Sequence, residues 1–379
     1  MEIQEMKRES GFTLVEVLVA VTIMLVILAA TLGTLTDGIH AIQGVTLMAD
    51  TQENLRAGMN YIVRDLVQAG EALPQTGITI PNTGGTTPVS AVNRPGPSGI
   101  GTFPTSWSVL PDISPGNVLG PATTASSVNT DMITVIYADN TLIDGNNHWL
   151  NEYPINTPGG GTNCSGTTPK PAGTIVTSGT TTTITFDSTC VNINTGNTAL
   201  AVGNLILLQA NGGGMALVTV SSVNLAGNSF TVSSSPDPFL LNNSGKSSGT
   251  IAQVQSPSGS GTYTTTTATR VWMVTYYIDN TNALTPRLMR QVNLNTAQEV
   301  GEVFENMQIL YDIVAAGSSP PTVSSTAAPT AAQLPYIRDA YVTLFARSET
   351  TNLASQKYFR NNLQTAVSIR SLNFYNEFK

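Results

Sequence analysis

Charge is what this 379-residue chain has least of. Asp, Glu, Lys and Arg together make up 11 % of it, against roughly 25 % in an average soluble domain. That is not the composition of disorder, because 41 % of residues are hydrophobic, enough for a sizeable core, and the net charge is modest for the length. Thr, Ser, Asn and Gly fill the space left by the charges, which suits a β-rich exported domain wetted by hydroxyls and amides. Basic residues number 16 against 24 acidic ones, for a net charge of −8. They form no cluster that could neutralise a phosphate backbone, so nucleic acid is excluded as a general partner.

Histidine and cysteine are scarcer still, at two each. His40 and His148 lie far from each other and from the cysteines in sequence, which argues against a metal site and against a Ser/His/Asp or Cys/His catalytic arrangement. Asp139 and Asp144 flank an Asn/Gly-rich loop that runs to Asn147, but EF-hand spacing is absent and a solvated turn is the simpler reading. Gly159–Gly161 and Gly212–Gly214 lack the Lys-Ser/Thr of a phosphate loop. The chain therefore reads as non-enzymatic, with no cofactor. In an oxidising compartment Cys164 and Cys190 are expected to form a disulfide, closing a loop of about 25 residues worth roughly 3–3.5 kcal/mol in the chain-entropy model.

What the chain does have is one long apolar run. Residues 1–11, MEIQEMKRESG, are polar and include Lys7 and Arg8; residues 12–35, FTLVEVLVAVTIMLVILAATLGTL, hold a single charge, Glu16, and no proline. As a helix these 24 residues would reach about 36 Å, enough for a hydrocarbon core of about 30 Å. The basic flank precedes the span and Asp37 follows it, so the positive-inside bias puts the N-terminus in the cytoplasm and the bulk of the chain outside. An ordinary signal peptide has a shorter apolar stretch. A plain anchor would not account for Glu16, since an ionisable group inside a span marks a functional site by default.

Gly11-Phe12-Thr13-Leu14-Val15-Glu16, behind a short basic-containing leader and ahead of the apolar run, resembles the type IV prepilin motif. The resemblance implies that a prepilin peptidase cuts after Gly11 and methylates the new amine of Phe12. Glu16 then becomes the fifth residue of the mature chain, where the family usually has a glutamate. Gly at the cut leaves the backbone accessible. Two readings of Glu16 stand side by side. Its carboxylate lies near its own helix N-terminus, favoured by the macrodipole; the family reading pairs it with the Phe12 amine of a neighbouring subunit during assembly. Many major pilins carry proline where this chain has Gly33. Glycine weakens a helix but removes no hydrogen bond, so local melting there follows less directly.

Beyond the span, Met48, Leu55, Met59, Ile62 and Leu66 recur on one face of a 3.6-residue helix, with Asp50, Glu53, Arg56, Arg64 and Asp65 mostly off that stripe. One helix is predicted from residue 12 to about 69, broken or bent at Gly38 or Gly44 and ended by Gly70 and Pro74. Residues 74–269 then carry only ten charged side chains. Strands are predicted there at Met132–Ala138, Thr182–Asp187, Asn204–Gln209, Ala216–Val223 and Ser229–Ser233. Further strands are predicted at Arg270–Ile278, Arg287–Leu294, Val303–Val314, Ala340–Arg347 and Thr365–Leu372.

The expected organisation is therefore a leader at 1–11, a membrane or filament-core helix at 12–35, and an amphipathic continuation at 36–73. A β-rich insertion at 74–269 and a separate C-terminal β-sheet part at 270–379 complete it, making an α+β chain. Gln52-Glu53-Asn54-Leu55-Arg56, Arg64-Asp65-Leu66 and Ala69-Gly70, with the order of C-terminal strands, resemble PilW-like minor pilins. That resemblance implies a minor pilin held in the bacterial inner membrane until assembly into a pilus with other minor and major pilins. The alternatives are a J-type pseudopilin of type II secretion, or a pilus-tip adhesin that binds a surface through 74–269.

Overall fold

The computed structural model describes residues 11–74, 76–81, 92–97, 102–104, 107–123, 126–139, 155, 173–193, 200–242, 248–255, 265–314 and 322–372. Helix α1 (Leu14–Val67) is followed by β1 (Ile78–Thr79), β2 (Val109–Leu110), β3 (Ile113–Gly116), β4 (Ala122–Thr123), β5 (Ser126–Asn129) and β6 (Met132–Ala138). Next come β7 (Gly173–Ser178), β8 (Thr181–Phe186), β9 (Leu205–Ala210), β10 (Met215–Thr219), β11 (Ser222–Asn224), β12 (Ser229–Ser233) and the short helix α2 (Ile251–Gln255). The C-terminal run is β13 (Thr266–Asp279), β14 (Arg287–Val292), β15 (Gln298–Glu302), β16 (Phe304–Val314), β17 (Val323–Thr326), β18 (Ile337–Thr351) and β19 (Tyr358–Ser368). The chain is α+β, a long apolar N-terminal helix with an antiparallel β-rich head.

Helix α1 runs unbroken through Gly38 and Gly44, contrary to the expected break. An isolated glycine costs a helix only about 1 kcal/mol, and the long good helix formers on either side absorb it. The chain divides into two compact units. The first contains residues up to Glu53 together with Arg347–Arg360. There the turn joining β18 to β19 meets the helix through Gln43, whose Oε1 accepts the Leu353 N–H at 3.0 Å. Asn352 shapes the turn by accepting the Ala354 and Ser355 amides at 2.9 and 3.1 Å. Met48, predicted as core, is 44 % exposed.

The second unit holds Asn54–Ala346 and the chain from Asn361 onward. Leu55, Met59, Ile62 and Leu66 are buried there, each contributing about 1.5–3 kcal/mol by the transfer scale. They pack with Val135, Val274, Tyr276 and Leu288 of one sheet and Phe304, Met307, Val342 and Leu344 of another. The first sheet has seven strands in the order β10-β9-β13-β14-β15, with β6 also on β13 and β3 on β6; the second runs β17-β16-β18-β19. β18 buries Ala340, Val342, Leu344 and Ala346 while Tyr341, Thr343 and Phe345 stay half-buried, so the strand has one core face. The third sheet, β11-β12-β8-β7, shares a separate core with β9 and β10, in which Ile184, Phe186, Phe230, Ile206 and Val218 meet.

β13 is the strand on which the seven-stranded sheet depends. It pairs with β9 through residues 266–271, with β6 through 271–276 and with β14 through 274–279. The boundary expected at 269/270 thus falls inside β13, between consecutive residues of one strand. Its even-numbered residues Val274, Tyr276 and Ile278 join the helix core, while the odd-numbered Val271 and Met273 enter a third cluster with Ile78, Leu110, Leu207 and Phe239. That alternation is the period of two of a strand buried on both faces.

Candidate functional site

The first turn of α1 is a capping box. Thr13 precedes the helix, and its N–H and Oγ1–H both donate to Glu16 Oε2 at 2.9 Å. In return the Glu16 N–H donates to Thr13 Oγ1 at 3.3 Å, while Val17 N–H reaches the Thr13 carbonyl at 3.2 Å. Two of the helix's orphan donors are satisfied reciprocally, which is why the helix starts where it does. The signal was present as Thr-x-x-Glu, and the sequence reading passed over it. Within the single chain Thr13 supplies the donors to the Glu16 carboxylate, while the intersubunit reading concerns an assembly of several chains.

Among the described residues, chain neighbours aside, nothing lies within 4 Å of where a Gly11 Cβ would sit, and Phe12 is 87 % exposed. The bond between them is sterically open. From Phe12 to Leu35 every side chain is exposed, and the most apolar 18-residue window has a mean hydropathy of 2.6 with none of it buried. A helix apolar on all faces needs lipid or other apolar helices around it. Its threonines are adapted to that setting: Thr22, Thr31 and Thr34 donate their hydroxyls to the carbonyls of Val19, Leu28 and Thr31 at 2.8–2.9 Å. No hydroxyl there is left to water, which a hydrocarbon core lacks.

An open Gly-Phe bond, a glutamate in the first turn of an apolar helix, and a β-rich head carried by the same helix together fit a membrane-anchored, prepilin-like chain. Residues 6–32 match the model of the prokaryotic N-terminal methylation motif. That match supports a type IV prepilin-like protein and implies processing by prepilin peptidase and assembly with pilins in general. No curated protein and no solved structure matches the chain.

A second polar constellation lies at the other end of α1, and periodicity had placed its centre on the outside of the helix. Asp65 is fully buried. Its carboxylate accepts from Tyr276 Oη at 2.6 Å, Arg290 Nε at 2.7 Å, Arg64 Nε at 3.3 Å and Tyr137 Oη at 3.4 Å. Burial, then the Asp65 charge, pushes the Tyr137 phenol up to about 12 and raises Tyr276 further. Burial alone would lower the Arg290 guanidinium, but its bond to Asp65 and that charge raise it. All three groups thus keep their donor protons at any ordinary pH. The cluster fastens the last turns of α1 to β6, β13 and β14.

The remaining sequence candidates fall as follows. Cys190 is fully buried and disulfide-bonded, while Cys164 lies outside the described residues, as do Asp144, Asn147, His148 and Gly159–Gly161. Asp139 accepts from Arg270 Nε at 2.5 Å, and the pair is buried. Gly212–Gly214 form the turn of the β9–β10 hairpin, where Gly213 has φ +87° and Ala210 N–H bonds the Gly214 carbonyl. Among the described residues no group of three or more His, Cys, Asp or Glu side chains is placed to hold a metal ion.

Proposed function

We propose that the chain is a non-catalytic minor pilin of the PilW-like kind, which helps to initiate or cap a type IV pilus together with other minor and major pilins. In this reading the precursor sits in the bacterial inner membrane with its N-terminus in the cytoplasm and its head in the periplasm. Cleavage after Gly11 and methylation of Phe12 release it for assembly. Glu16 then exchanges its Thr13 donors for the Phe12 amine of a neighbour, so that two charges disfavoured by hydrocarbon meet each other.

The observation that carries the reading is the combination of the Gly11–Glu16 motif with an enlarged head. The layer made by β7, β8, β11 and β12, with its own core, adds bulk to the sheets that hold the helix. Subunits whose helices pack side by side along a filament must fit their heads at the helix spacing. A subunit placed once, at an end, meets no such limit. A J-type pseudopilin shares the same helix and head, and the two are told apart by the machine that needs the chain.

The test is piliation and secretion in cells lacking the protein. Lost surface filaments, restored by the wild type and not by Glu16→Ala, support the pilus reading. Intact filaments with lost protein secretion support the pseudopilin. Mass spectrometry of the membrane-extracted chain should find N-methylated Phe12 at its start, and an intact leader in cells that hold the peptidase would sink both.

A further inference from the structure

A cleft of about 300 Å³ opens where the last turns of α1 meet the end of β6 and the middle of β13, and nothing in filament assembly calls for it. Arg64, Gln68 and Glu71 line it from the helix end, and Tyr137, Asp139 and Trp272 from the sheet. Tyr137 and Trp272 are register partners on adjacent strands, so their rings stand side by side on one sheet face. The Arg270 guanidinium lies 4.8 Å over the Trp272 ring, and Trp272 itself is half-buried.

Three features narrow the ligand. The volume stands at the small end of ligand pockets, which run about 300–1,000 Å³. The lining holds Arg64 against Asp65, Glu71 and Asp139, and two of those carboxylates are paired with arginines outside the lining, Asp65 with Arg290 and Asp139 with Arg270, so that the charge about the cleft sums to zero. A cleft without net charge favours neither an anion nor a cation. The floor is preorganised, because Asp65 is tied by four donors and cannot shift without breaking them. What remains is an indole and a phenol ring edged by an amide, a guanidinium and carboxylates.

We propose that this cleft is a binding site for a neutral saccharide of one or two rings. The C–H face of the sugar packs on the Trp272 indole, an apolar surface with a rigid plane. The Gln68 amide, which can both donate and accept, and the Arg64 side chain at the rim meet its hydroxyls. The inference stands apart from the proposed role in assembly, since none of these residues lies in the N-terminal motif.

The experiment uses the full chain, extracted in a detergent without a sugar headgroup, and titrates it with glucose, galactose, N-acetylglucosamine, N-acetylgalactosamine, lactose and maltose. Binding is followed by isothermal calorimetry and by saturation-transfer NMR. The expected result is that at least one of these sugars binds, with affinity reduced tenfold or more in Trp272→Ala and several-fold in Gln68→Ala. Gln68→Ala changes a side chain at the rim, so it reports on binding even if Trp272→Ala misfolds. Neither variant should change filament number, which separates a failure here from a failure of the pilin reading. No binding by any of the six sugars, or binding that Gln68→Ala and a folded Trp272→Ala leave unchanged, would overturn the proposal.

Discussion

Removing Asp65 is the most direct probe of how the helix is held to the head. In Asp65→Ala the Tyr276 and Tyr137 hydroxyls and the Arg290 guanidinium, whose side chain is only 14 % exposed, lose their common acceptor. Breaking a buried pair by deleting one partner costs about 3–5 kcal/mol, because an uncompensated charge stays behind. An orphaned buried hydroxyl adds about 1–3 kcal/mol unless water reaches it. The expected loss is at least about 4 kcal/mol, a large share of a typical 5–15 kcal/mol. With a slope of about 2 kcal/mol per molar urea, that is a fall of about 2 M in the unfolding midpoint. The assay is urea unfolding of the detergent-extracted chain followed by intrinsic fluorescence. The double variant Asp65→Leu with Arg290→Met removes both charges and should recover most of the loss, as apolar replacement of buried pairs often does. A fall of less than about 0.5 M in Asp65→Ala, or no recovery in the double variant, would refute the argument that a coupled buried charge pair fastens the helix.

Asp112 supplies a pH dependence. Burial pushes its carboxyl up to about 7, and its Oδ1 has no hydrogen-bond partner among the described residues. The folded chain therefore holds a proton that the unfolded chain releases from its ordinary value of 3.8. Stability is greatest at low pH with respect to this group and falls as pH rises through that window, by up to about 4 kcal/mol. Asp112→Asn should flatten the slope between about pH 4 and about pH 7 in thermal melts, and an unchanged slope would exclude Asp112 as its source. Gly70 ends α1 with φ +73° against Asp112 and Ser371, so Gly70→Ala should cost about 3 kcal/mol through strain and overlap, read as a drop of several degrees in melting temperature. Thr13→Val should leave cleavage at Gly11 intact while raising amide hydrogen exchange in the first turn, and Thr13→Ser should restore protection; equal exchange in all three would show that the capping box contributes nothing.

The limits of the sequence show at particular residues. Leu55, Met59, Ile62 and Leu66 were legible as a buried stripe, because helical period is a local property of the chain. Met132–Ala138 and Ser229–Ser233 were read with the bounds that the strands have, since β-branching and flanking turns mark them locally. The same stripe failed at Met48, which is exposed, because burial requires a surface to pack against and periodicity does not say where that surface ends. Polarity misplaced Asp65 for the complementary reason. An aspartate reads as solvent-facing until the donors that neutralise it are in view, and Tyr137, Tyr276 and Arg290 are 72 to 225 residues away along the chain.

By itself the sequence carried the N-terminal methylation motif and the apolar run long enough to span a membrane. The cut, the capped glutamate and the apolar run are all written within the first 35 residues, and each depends only on neighbours along a helix. Tertiary structure alone decided how the head is built. It set β13 between strands drawn from both sides of the expected domain boundary, and it brought Trp272 beside Tyr137 over a buried charge cluster. Strand pairing and charge satisfaction are settled by which distant segments meet, and a local pattern of residue types carries no record of that.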